Sequence, residues 1–164
     1  MSQYAVEIQD EYDVADFPTA RVTEAIEYVL TRHEVEKGTG VTVVVTTDEH
    51  VRSLNAEFRG IDSPTDVLSF PADPLPDEIE GEDPYLGDLV IAYPYTLHEA
   101  QEAGHDIADE LVLLVIHGTL HLLGFDHDNE EHQDAMWAEQ SEALAAANVA
   151  ISVPRFTFGE NIDA

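Results

Sequence analysis

Three histidines, His117, His121 and His127, fall inside the run Val115-Ile116-His117-Gly118-Thr119-Leu120-His121-Leu122-Leu123-Gly124-Phe125-Asp126-His127. A helix turns once in about 3.6 residues, so His117 and His121 leave the same face one turn apart. Gly124 then ends the helix, because glycine adopts the left-handed backbone that residues with a β-carbon avoid. The chain can turn back there and bring His127 to the same point. Three imidazoles with a position left over for water make a catalytic zinc site rather than a closed structural one. The other five histidines (His33, His50, His98, His105 and His132) sit among Glu, Asp and Gln and read as solvated; only His132 is close enough in sequence to compete as a ligand.

Composition narrows the chemistry further. The chain has no cysteine, so thiolate ligands and disulfides are excluded and histidine and carboxylate remain as tight ligands. Its 35 acidic residues face only 6 basic ones, for a net charge of -29. Such a field favours solubility and repels polyanions, so a nucleic-acid substrate would need a local patch together with a cation. No apolar run approaches the roughly 18 residues of a membrane span, and the N-terminus lacks a basic patch followed by an apolar stretch. No membrane partner and a cytoplasmic location are therefore expected.

The elements that must position the histidines follow from periodicity. Tyr4 to Gln9 alternates as a strand, and Pro18 to His33 keeps a helical period through Val22, Ala25, Ile26, Val29 and Leu30. Val41 to Thr46 is a β-branched central strand. Thr46 to Glu49 offers a capping box for a helix whose buried stripe would be Val51, Leu54 and Phe58. Asp66 to Phe70 and Leu86 to Tyr93 read as strands, with an exposed flexible loop from Pro71 to Asp83 between them. Tyr95 to Ala103 is helical. Asp106 caps the next helix, which is apolar on nearly every side and therefore central. Gly118 inside it suggests close approach of another backbone. Asp128 and Glu131 form a capping box for a polar-faced helix to about Asn148, and the tail from Ala150 is expected to fray. Residues 1–164 thus read as one α+β domain, a mixed four-stranded sheet with helices around a central buried helix that carries the metal.

Two segments together resemble one family. The run Asn55-Ala56-Glu57-Phe58-Arg59-Gly60-Ile61-Asp62-Ser63-Pro64-Thr65-Asp66-Val67-Leu68-Ser69-Phe70-Pro71 and the histidine motif, preceded by Leu86-Gly87-Asp88-Leu89-Val90-Ile91, are similar to the YbeY endoribonucleases over about Val41 to Asn148. The resemblance implies a zinc on His117, His121 and His127, and an Arg59 that lies in the substrate channel and is needed for activity. It also implies a single-strand-specific, metal-dependent endoribonuclease that matures the 3′ end of small-subunit ribosomal RNA and serves ribosome quality control. Its partners would be the small subunit, ribosomal proteins or a GTPase assembly factor. Independently, Arg52, Asn55 and Arg59 are spaced to share a helix face, which makes Arg52 and Asn55 candidate substrate contacts. Arg59 could instead pair with Asp62 or Asp66, two aspartates suited to shaping the turn into the strand. Asp126 would orient His127 or relay a proton, and Asp128 would cap a helix.

Two further readings stay open. The spacing H-x-x-x-H-x-x-G-x-x-H is also that of metzincin peptidases, but their glutamate base would occupy the place of Gly118. A non-catalytic ribosome-associated factor with a structural zinc would also suit the acidic surface. For a nuclease, either a water or a ribose 2′-hydroxyl could attack the phosphodiester.

Overall fold

The structure, a computed structural model, describes residues 3–72 and 84–154. The elements run β1 (Ala5–Asp10), α1 (Thr19–Arg32), β2 (Gly40–Thr46), α2 (Asp48–Arg59), β3 (Val67–Pro71), β4 (Tyr85–Ala92), α3 (Tyr93–Ala103), α4 (Ile107–Leu122) and α5 (Glu130–Ala146). The strands form one mixed sheet in the order β1-β2-β4-β3. β1, β2 and β4 are parallel neighbours, while β3 runs antiparallel to β4 at the edge. The element order and the α+β class are those read from periodicity.

Side chains alternate across a strand, so the valines of β2 serve two cores. Val41, Val43 and Val45 join Leu89 and Ile91 of β4 against the buried faces of α1 and α4. Val44, Val90 and Ala92 turn the other way and meet Leu68 of β3 and Val51 and Leu54 of α2. α4 packs against α1, α3 and α5 as well as the sheet, which is why its sequence is apolar on almost every side.

Several expected details differ. α2 buries Val51 and Asn55, while Phe58 is 62% exposed, because its ring lies against Phe70 of the edge strand β3. Its N-cap is Thr47, which accepts from the His50 amide at 3.1 Å, not Thr46, whose hydroxyl meets the His50 ring. β4 ends at Ala92 and α3 starts two residues earlier than expected, since Pro94 suits a first helical turn and Asp48 accepts from the Tyr95 amide at 2.9 Å. α5 is capped by Asn129, which accepts from the His132 amide at 2.7 Å; Asp128 is drawn off by the His132 ring instead. Residues 150–153 do not fray: the Trp137 indole donates to the Val153 carbonyl at 3.2 Å. Most of the loop expected at Pro71 to Asp83 (residues 73–83) and the tail from residue 155 lie outside the described residues.

Candidate metal centre

The last turn of α4 and the turn after it build the site. The Gly124 amide bonds the His121 carbonyl and the Phe125 amide bonds the Leu120 carbonyl, each at 3.0 Å, and Gly124 has φ +102°. This paired closure is a Schellman turn, which satisfies the end of the helix and reverses the chain. His127 thereby returns to its partners. The aspartate beside it helps: Asp126 accepts from the His127 amide at 2.7 Å, so it fixes the backbone of the turn.

One ring nitrogen from each of His117, His121 and His127 lies within 4.8 Å of the others. Their protonation is set from behind. The amide oxygen of Gln140, buried on α5, can only accept, so His117 Nδ1–H donates to it at 2.8 Å. In the same way His121 Nδ1–H donates to the Phe125 carbonyl at 2.9 Å. Each ring therefore presents an unprotonated Nε2, and those two atoms face each other at 3.1 Å. Two lone pairs at that distance repel unless a cation lies between them. Burial holds both rings neutral: it lowers the His117 pKa, and it brings His121 down to about 4, helped by the neighbouring His117 and His127. The set fits a borderline divalent metal, and no thiol or fourth histidine enters it. His132 is not in the cluster; it pairs with Asp128. Nor are all the remaining histidines solvated, since His33 is half-buried against Glu139 and Phe125, and His105 against Glu110.

The histidines open into a cleft of about 910 Å³ whose walls include Phe58 and Arg59 of α2 and Asp66, Ser69 and Phe70 of the β3 segment. Asp126 also faces it. Arg52 and Asn55 are not brought there. Arg52 binds Asp62 through two nitrogens, at 2.8 and 3.2 Å, and buried Asn55 donates to the Ser63 carbonyl at 2.9 Å. Asp62 thus serves Arg52 rather than the turn, whereas Asp66 does cap the strand entry, accepting from the Val67 amide at 2.7 Å. Among the described residues no carboxylate is ion-paired with Arg59. The alternative of a structural pair with Asp62 or Asp66 is therefore not what the fold adopts.

Gln140 and Trp137 were missed as site residues. Trp137 packs edge-on against the rings of His117 and His127, with centroids 6.0 and 5.7 Å away. The signal was present: Gln133, Met136, Trp137 and Gln140 share one face of α5, and an apolar face carrying two glutamines needs polar partners inside. Gly118 also has a different neighbour from the backbone expected. A β-carbon there would meet Leu89 Cδ2 at 2.7 Å and the Ser69 hydroxyl at 3.3 Å, so the close approach is by side chains of the sheet.

Comparison with known proteins gives the family. The family model described as Endoribonuclease YbeY matches residues 5–148, further toward the N-terminus than the motifs alone suggested. A relative named endoribonuclease YbeY from Chloroflexus aggregans is 39% identical over 155 residues, spanning 93% of this chain and 99% of its own length. Another from Bacillus cytotoxicus is 39% identical over 145 residues, covering 85% and 89% of the two chains. The solution structure of a Thermotoga maritima target protein is similar with a TM-score of 0.59 at 25% identity, over 87% of this chain and 88% of that one. With the family match running through both the histidine turn and the Arg59 segment, this chain belongs to the YbeY endoribonuclease family.

Proposed function

We propose that the chain is a zinc-dependent endoribonuclease that cleaves single-stranded RNA in maturation of the small ribosomal subunit. The observation that carries the reading is the convergence of three histidine nitrogens within 4.8 Å at the floor of a cleft that also holds Arg59. His117, His121 and His127 would hold one ion per chain, and nitrogen donors without thiolate suit zinc. When bound, such an ion supplies Lewis-acid polarisation of a phosphoryl oxygen and acidifies water. The chain's own groups do the rest. Gln140 and the Phe125 carbonyl keep the metal-facing nitrogens of His117 and His121 unprotonated. Arg59, which lines the cleft with no carboxylate partner among the described residues, would bind phosphate and stabilise charge that develops on it. Asp126 positions His127 through its amide.

Gly118 argues against the peptidase alternative. The position of that family's glutamate base is buried under Leu89 of the sheet, where even a β-carbon would lie 2.7 Å from the leucine and a glutamate has no room. The substrate is taken to be ribosomal RNA in the cytoplasm, reached with ribosomal proteins or a GTPase assembly factor. Among the described residues no helix is long and apolar enough to cross a membrane. The test is cleavage of a labelled single-stranded RNA by protein carrying one zinc per chain. Cleavage should disappear on chelation, return with zinc, and be absent in His121→Ala. Well-metallated protein that leaves the RNA intact at every salt concentration would sink the reading.

A further inference from the structure

Phe58 is the most exposed large apolar side chain among the described residues, at 62%. A single exposed phenylalanine is ordinary on a protein surface. This one has particular company. Its ring meets Phe70 edge-to-face, with centroids 5.4 Å apart and planes at 72°, and both rings line the cleft that holds Arg59 and the three histidines. Phe70 is half-buried on the edge strand, so it backs Phe58 and limits the ring's freedom. An aromatic surface left in water beside a guanidinium is the equipment that proteins use on unpaired bases.

The charge of the molecule strengthens the case. At -29 the chain repels phosphate, and the cleft itself carries Asp66 and Asp126. Affinity for RNA cannot come from a broad basic surface, so an uncharged contribution is needed. Stacking supplies one that any base can satisfy and that salt does not screen. We propose that Phe58, braced by Phe70, is a stacking platform that holds one unpaired nucleobase beside the metal centre while Arg59 takes an adjoining phosphate. The proposal rests on the nuclease reading above and adds its mode of substrate selection. A base locked in a duplex offers no free face, so the platform favours single strands without reading their sequence.

The test uses the metal-loaded chain and a short single-stranded RNA in which one abasic nucleotide is walked through the sequence, with binding and cleavage both measured. Phe58→Ala should raise KM and weaken binding about tenfold, whereas Phe58→Tyr and Phe58→Trp should restore both. At one position the abasic nucleotide should cost the wild type about tenfold and cost Phe58→Ala nothing more. Unchanged KM in Phe58→Ala, or losses that add to every abasic substitution, would overturn the platform while wild-type cleavage kept the nuclease reading intact. Binding that depends on Phe58 without any cleavage would do the reverse.

Discussion

Gln140 decides which nitrogen of His117 faces the cleft, and the packing of α5 decides where Gln140 sits. Replacing it with leucine leaves the His117 Nδ1–H without an acceptor and frees the ring to turn. Metal affinity should then fall about 10- to 100-fold, as losses of such supporting hydrogen bonds do. Gln140→Glu keeps an acceptor and should lose much less. Competition against a chelator of known affinity checks both, and equal affinities for the leucine variant and wild type would refute the role. Gly118 makes a second residue-scale case, because two effects oppose there. Alanine gains up to about 1 kcal/mol of helix propensity. Its β-carbon would strike fully buried Leu89, and overpacking costs about 1–3 kcal/mol. Gly118→Ala should therefore be less stable by about 1 kcal/mol in chemical denaturation; a more stable variant would mean that Leu89 moves freely. At this scale the three candidate ligands were legible, because His117 and His121 stand one helical turn apart and Gly124 marks the turn that brings His127 back to them. Gln140 was not, since a glutamine 23 residues from His117 reads as surface until the packing of α5 on α4 is known.

The junction of β3, β4 and α3 gathers acidic groups. Asp66 caps the entry to β3 and its carbonyl accepts from the Ala92 amide, while Glu99 of α3 lies close enough for the two carboxyls to act on each other. Burial raises the pKa of Asp66. Burial also raises Glu99, and the negative charge of Asp66 adds to it. With folded values above unfolded ones, the stability these groups allow is fully present below the ordinary carboxylate range, roughly pH 4. It is lost as pH rises through the raised values. Asp66→Asn retains an acceptor for the Val67 amide and removes a charge that acts on Glu99, so it should match wild type at low pH and become the more stable protein as pH rises. Thermal midpoints of the two metal-free proteins across that range test this, and parallel curves would contradict it. Periodicity made the order of elements readable here, yet it misjudged the ends. Which threonine caps α2, and whether Phe58 or Asn55 faces inward, depends on where the sheet stops, and β3 lies at its edge. Long-range contacts settle such choices, and no local pattern records them.

For the molecule as a whole, charge sets how salt acts on folding and on binding. A net charge of -29 repels itself more in the folded state than in the expanded chain, and salt screens that repulsion within about 10 Å at 0.1 M. The thermal midpoint should accordingly rise as monovalent salt is added to a dilute buffer. RNA affinity should respond differently from that of a basic RNA-binding protein. Arg52 is engaged by Asp62, which leaves Arg59 as the cation lining the cleft among the described residues. Each phosphate neutralised on a single strand contributes a slope of about −0.7 in log K against log salt. One or two contacts give about −0.7 to −1.4, and screening of the acidic surface offsets part of even that. A slope near −4, the equivalent of about six phosphates, would require a basic track elsewhere on the assembly. That result would place RNA recognition on a partner, with this chain contributing the metal, Arg59 and the stacking ring.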